Sequence, residues 1–356
     1  MNSYYTSTQY KNWMKTEEEI QSMQKMKWKR ISKRINEINE KIKKENEEKS
    51  KSLNSSTELN PEKKELNFKK EINLQKFLGI VDKEKFLIID FCKYLIGYLN
   101  RQSKKSTFLK CTTLTFIRRF YLLKSILDYD ITYLMAAALY LGSKVSQMNL
   151  GFEGVEKIFG DIHKHEEKVF DYESYLCTIL KYDFFVYNPY HALSGFLEQK
   201  DVFLDQKKEN YIDPDTFKQE CNDIIDTMYL TDIIFLYNYS EIALGSIFMV
   251  CEKRNIDIQN ICNKLELNDV LDIKKFINGP LVKMKKYIDD LPKYETQEEE
   301  DKKADFIYKS IKHIHANYPD YTQKLEEERK TLKTKMENFS KEFNIWENDV
   351  LPKAKK

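Results

Sequence analysis

The sequence predicts an all-α protein built as two tandem five-helix bundles, with additional N- and C-terminal helices. Three observations carry that expectation. Ile131–Lys144 is a short run, apolar on nearly every face, which suits a helix surrounded by other helices. A second such run, Tyr239–Cys251, follows about 110 residues later, as expected of a duplicated unit. The 356 residues hold only 9 glycines and 7 prolines, while charged residues reach 33%. That composition favours long helices and leaves little for turn-rich β architecture.

Residues 1–45 read as an N-terminal helical arm. Thr16 and Glu19 have the spacing of a capping box, opening a helix that carries Ile20, Trp28, Ile31 and Ile35 near one face. Trp13 and Trp28 would be wasted in water, so the arm is expected to pack on the first bundle. From Asn36 the composition collapses to Asn, Lys, Glu and Ser, with Ile38 and Ile42 extending the helix slightly. Residues 46–66 are expected to be a mobile low-complexity linker, too poor in apolar surface to offset ordering entropy.

The first bundle is expected over 67–185. Its helices are Lys83–Asn100, Thr107–Lys124, Ile131–Lys144, Phe152–Phe159 and His165–Lys181. In the second of these, Phe108, Thr112, Phe116, Phe120 and Leu123 share a face. The third is the core helix, thin-waisted through Ala136, Ala137 and Ala138, with Asp130 as its expected N-cap. It is too short for a membrane span, which takes about 20 apolar residues. No proline occurs between Pro61 and Pro189, and Asn188-Pro189 then interrupts the helical pattern.

A second bundle follows over 186–291. Its expected helices are His191–Glu198, Pro214–Phe235, a core helix Ser240–Arg254, and Ile273–Leu291, broken or kinked at Asn278-Gly279-Pro280. Aligning the core helices at that spacing of about 110 pairs Asp130 with Ser240, Leu134 with Leu244, and Lys144 with Arg254. Residues 292–356 form a charged C-terminal helical tail. Its apolar stripe, Leu325, Leu332, Met336, Phe339 and Phe343, is thin, so docking on the body and solvation both stay open.

The chain carries little chemistry of its own. A net charge of +2 gives no electrostatic reason for extended nucleic-acid binding. Six cysteines are scattered with no Cys-x-x-Cys pair, which suits reduced, buried thiols in a cytosolic or nuclear protein. There is no phosphate-cradling glycine loop and no nucleophile elbow. His163-x-His165 and His313-x-His315 are not metal-ligand spacings on a helix, because residues two apart face different ways. No catalytic residue, cofactor or metal is expected.

One patch stands out. Leu141, Lys144 and Val145 share a face at the end of the first core helix, and Glu173, Cys177 and Phe184 form a stripe on the next long helix and its end. Side by side, the two stripes make an apolar ground with one cation and one anion. Taken alone, Lys144 and Glu173 could pair with each other or face water.

The order of several short motifs resembles the cyclin family. Arg118-Arg119-Phe120-Tyr121-Leu122, Leu141-Gly142-Ser143-Lys144-Val145, Tyr172-Glu173 and Leu180-Lys181-Tyr182-Asp183-Phe184 look like successive landmarks of a cyclin box. Val186-Tyr187-Asn188-Pro189-Tyr190, Leu230-Thr231-Asp232, Ile242-Ala243-Leu244 and the N-terminal Gln9-Tyr10-Lys11-Asn12-Trp13 with Glu17-Glu18-Glu19 are similar to the cyclin H branch. That resemblance makes 67–185 and 186–291 two cyclin boxes. It implies a non-catalytic, nuclear regulatory subunit of a cyclin-dependent kinase, the CDK-activating kinase. Its further implied partners are a RING-finger assembly factor and the core of the general transcription factor TFIIH. It also implies that Lys144 and Glu173 hold the kinase backbone around its C-helix, while Leu141, Val145, Cys177 and Phe184 pack on it.

The pattern departs from the family in two places. Ser146 and Gln147 stand where many cyclins carry an acidic pair, and Phe86–Phe91 replaces the substrate-docking motif of cell-cycle cyclins. The competing readings are a transcriptional cyclin of C, K, L or T type, a TFIIB-like DNA-binding factor, or an enzyme.

Overall fold

The structure, a computed structural model, describes residues 3–55, 71–81, 83–101, 107–148, 150–198, 213–264, 272–293 and 297–350. Among them every regular element is a helix. The chain divides into two compact units: one comprises Met1–Gln21, Ile88–Leu122 and Ile131–Gln297, the other Ser22–Leu87, Leu123–Asp130 and Glu298–Lys356.

The first unit holds both core helices. Ile131–Val145 is buried from Leu134 through Leu139 without interruption, and it packs against Gly151–Phe159 and Glu166–Ile179. Close approach is built into its sequence: a Cβ on Gly142 would stand 2.5 Å from the Thr113 hydroxyl oxygen on helix Thr107–Leu123. The second core helix, Tyr239–Lys253, packs against Pro189–Leu197 and Pro214–Tyr229. Each of these three helices starts where an Asx cap stands. Asn188 accepts from the Tyr190 amide ahead of Pro189, and Asp213 accepts from the Thr216 amide ahead of Pro214. Asn238 and Glu241 form a full capping box. Asn and Asp cap because their short side chains reach the orphan N–H groups of the first turn, while proline at N1 has no N–H to lose.

That box corrects the expected alignment of the two core helices. Their first residues, Ile131 and Tyr239, are 108 positions apart. Gln147 and Asn255, the left-handed residues that close them, are 108 apart as well. Both helices end with the same turn: the Met148 amide donates to Ser143 O at 2.9 Å and the Ile256 amide to Cys251 O at 2.8 Å. In that register Ala137 meets Gly245 and Leu139 meets Ile247, all fully buried. The wider offset, which paired Lys144 with Arg254, fails because the second helix is capped by Asn238 and not by Ser240.

Several expected boundaries hold. The Thr16–Glu19 capping box forms, with reciprocal bonds of 2.8 and 3.2 Å. Trp13 is buried, its indole N–H donating to Asp183 Oδ2 at 3.1 Å. Around Asn278-Gly279-Pro280 the helix widens into a π-helical turn, Ile277–Leu281, between Ile273–Phe276 and Val282–Asp289. This lets the chain pass a proline that cannot donate. The expected helix Pro214–Phe235 is split, with Pro214–Tyr229 followed by the short Ile233–Leu236. Helices Leu74–Val81 and Ile258–Lys264 were not expected from the pattern.

The second unit is made largely of the chain's ends. Helix Glu17–Ser55 runs well into the stretch read as a linker, while residues 56–66 lie outside the described ones. Ile31, Ile35, Ile38 and Ile42 are buried on one stripe. Arg34, also buried, bonds Asp128 Oδ1 at 2.6 Å and the Tyr321 hydroxyl oxygen at 3.1 Å, and pairs with both oxygens of Glu328. Tyr321 donates to the same Asp128 oxygen at 2.8 Å, and Arg329 donates to the Asp128 carbonyl. Tyr321 and Leu325 are buried, so the tail helix Pro319–Val350 docks within this unit. The side chains of Met336, Phe339 and Phe343 lie outside the described ones.

Candidate functional site

The two stripes singled out in the sequence are brought together. Lys144 stands in the last turn of Ile131–Val145, and Glu173 lies midway along the neighbouring helix Glu166–Ile179. The Lys144 ammonium donates to Glu173 Oε1 at 2.7 Å and to Oε2 at 3.0 Å. The lysine side chain is 49% exposed and the glutamate 15%. The cation also lies 3.9 Å from the centre of the Tyr140 ring, one turn back on the same face. A pair this exposed contributes little to fold stability, about 0–1 kcal/mol.

The other candidates differ in how much surface they offer. Leu141 is 5% exposed and belongs to the core. Val145 and Cys177 are half-buried beside the pair. Burial, followed by the Glu173 charge, pushes the Cys177 thiol up to about 11, so it is a neutral, weakly nucleophilic contact surface. Phe184 is half-buried, its ring 6.0 Å from that of the buried Phe116. The turn that delivers it is unusual: Lys181 and Tyr182 both have positive φ, and the Tyr182 amide closes the helix on Cys177 O at 3.0 Å.

The stripes did not include an aromatic shelf that borders the pair. Tyr140, Phe152 and Phe170 form a triad with ring centres 5.6–6.0 Å apart, and Phe170 is 38% exposed. Tyr140 precedes Lys144 by four residues and Phe170 precedes Glu173 by three, so helical spacing alone puts them on these faces. The remaining landmarks are structural. Arg118 pairs with Asp232 at 2.6 Å. Arg119 donates to Asp183 O and stacks on Trp13.

His163 and His165 are both exposed, and His163 Nδ1 sits 2.9 Å from Glu156 Oε1. No group of three or more metal-ligating side chains converges among the described residues. The five cysteines other than Cys177 are buried free thiols. No helix searched is long and apolar enough to cross a membrane.

No protein-family model matches this chain. Curated relatives do. Cyclin mcs2 of Schizosaccharomyces pombe is 28% identical over 171 residues, 46% of this chain and 50% of that protein. Cyclin-H of Xenopus laevis is 22% identical over 210 residues, 58% of this chain and 62% of that one. The matched stretch thus spans between half and two thirds of these relatives. Among solved structures, a chain of the CAK complex from Chaetomium thermophilum bound to ATP-gamma-S aligns over 99% of this chain and 97% of its own. The TM-score is 0.57 at 16% identity, a likeness of fold. The resemblance first seen in the motifs is thus found again over 46% and 58% of the chain, where it is similar to cyclin mcs2 and to Cyclin-H.

Proposed function

We propose that this chain is a cyclin H-like regulatory subunit that binds and activates a cyclin-dependent kinase, the catalytic subunit of the CDK-activating kinase. The observation that carries the proposal is the Lys144–Glu173 pair, half-exposed at the end of a core helix and flanked by Val145, Cys177 and Phe184. Beyond the bonds they make to each other, the ammonium and the carboxylate keep donor and acceptor capacity for a partner backbone, on an apolar ground. Charged hydrogen bonds of this kind contribute about 1.5–3 kcal/mol each.

In this reading the kinase C-helix docks on the patch in the orientation that lets its glutamate meet the strand lysine, as phosphoryl transfer requires. The chain supplies no catalytic group. It binds one kinase conformation better and shifts the population toward it. A RING-finger assembly factor and the TFIIH core are the further partners proposed, with the nucleus as the compartment. Residues 67–185 and 186–291 are the two proposed cyclin boxes.

The test is co-expression with the kinase subunit, a pull-down and a kinase assay, with a melting curve of each free variant. Lys144→Ala and Glu173→Ala should each weaken assembly by about 2–5 kcal/mol, the range for truncating one member of a buried interfacial contact. Val145→Asp should be worse, and all three should melt within a few degrees of the parent. Full activation by the double variant Lys144→Ala, Glu173→Ala would remove the pair from the site.

A further inference from the structure

Arg119 is among the largest fully buried side chains of the chain, 1% exposed. A guanidinium carries five N–H donors and keeps its charge in the interior. Its side-chain hydrogen bond goes to the Asp183 carbonyl oxygen, at 3.3 Å, and its face lies 4.8 Å from the Trp13 ring. The Asp183 carboxylate, its natural counter-ion, is engaged elsewhere. Oδ1 accepts from the Thr8 hydroxyl at 2.6 Å and Oδ2 from the Trp13 indole at 3.1 Å. Burial lowers the guanidinium to about 10, outweighing the pull of Asp183. A charge this deeply buried is costly unless its surroundings complete its shell.

A small cavity opens beside it. Gln9, Trp13, Arg119, Tyr187, Tyr229 and Tyr239 contribute to its wall, and no carboxylate does. The Gln9 carbonyl oxygen accepts from the Tyr187 amide at 2.8 Å, which leaves the Gln9 NH2 as a donor. Thr115, Tyr229, Tyr237 and Tyr239 add hydroxyls that can donate or accept, so the wall carries a cation and several groups able to donate. Its volume of about 20 Å³ admits a single small species, since one water takes roughly 10–15 Å³ on this measure.

We propose that this cavity binds one small monovalent anion, chloride or a carboxylate of formate size, held by Arg119 and Gln9. Sulfate and phosphate are too large. Gln9 and Trp13 belong to the N-terminal segment and form part of the wall, so an anion bound here fastens that segment to the body. Binding and docking of the segment are linked, and the anion stabilises the folded chain by mass action.

The experiment is a melting series of the full chain at constant ionic strength, replacing gluconate with chloride, formate or sulfate. The parent should show a saturable rise in Tm of a few degrees with chloride or formate. Sulfate should give only the unsaturating rise of an excluded salt. Arg119→Met and Gln9→Leu should abolish the saturable part. Crystals soaked in bromide should place an anomalous peak within hydrogen-bonding reach of the Arg119 guanidinium. Should Arg119→Met fail to fold, Gln9→Leu and the bromide peak still decide. An equal chloride response in parent and Gln9→Leu, or a water in the cavity with no bromide, would overturn the proposal.

Discussion

Lys110 and Asp226 lie 116 positions apart, and both are almost fully buried, with Lys110 Nζ 2.5 Å from Asp226 Oδ1. Asn100 donates to the other Asp226 oxygen at 2.8 Å and accepts from Lys110 at 2.8 Å, and Tyr190 donates to Asp226 as well. Nothing in the run of residues around Lys110 marks it as interior, and pairing is what makes its burial tolerable. Asp226→Ala strands the ammonium in a dry site and should cost about 3–5 kcal/mol in urea unfolding. The double change Lys110→Met, Asp226→Leu should recover most of that. His315 makes a pH-dependent prediction. Burial lowers its titration below the usual 6.5 despite the nearby Asp128. Its neutral form is therefore the one the fold accepts. The unfolded chain binds the proton first, so stability should be whole above 6.5 and fall as pH drops below it. Melting curves between pH 7.5 and 5 should show that slope, and His315→Asn should flatten it.

At the scale of the element, most helices were legible because their ends are written in local chemistry. The Thr16–Glu19 box and Asp213-Pro214 start helices where they were expected, while Asn188-Pro189 starts its helix two residues before the expected His191. The ends that misled are those where an uncommon backbone does the work. Gln147, Lys181, Tyr182 and Asn255 take positive φ without being glycine, and a reading that waits for glycine at a C′ position passes over them. The register of the two core helices was misjudged at the other end, where Asn238 and not Ser240 caps the second. Packing sets a second limit at Gly142, where an added methyl would meet the Thr113 hydroxyl at 2.5 Å, Leu109 Cδ1 at 3.5 Å and the Thr113 Cα at 3.6 Å. Gly142→Ala improves helix propensity by about 1 kcal/mol yet should still lose about 1–3 kcal/mol net from overpacking. A melting temperature at or above that of the parent would show that the two helices can part freely.

On the scale of the whole molecule, the ends of the chain prove to be structural. Arg34 and Asp128 are brought to Tyr321, Glu328 and Arg329 of the tail within one compact unit. Removing residues 319–356 deletes three of the groups that satisfy this buried pair. Amide exchange across 123–130 should quicken at least tenfold, because Asp128 is held from three sides by side chains of Arg34, Tyr321 and Arg329. Unchanged protection there would show that the loop holds itself. The tail's thin apolar stripe left docking and solvation equally open, since the deciding contacts are polar and distant in sequence.

What the sequence determined by itself is whatever depends on near neighbours. It specified the all-helical class, the two core runs, the caps, and the facing stripes that carry Lys144 and Glu173, because helical period and capping are local rules. Only the tertiary structure decided which charges are buried and with whom, and that Leu141 faces the core while Lys144 faces solvent. It alone showed that Asp183 serves Thr8 and Trp13 before Arg119. A buried charge is set by partners more than 50 residues away, and its energy exists only once the chain has folded around it.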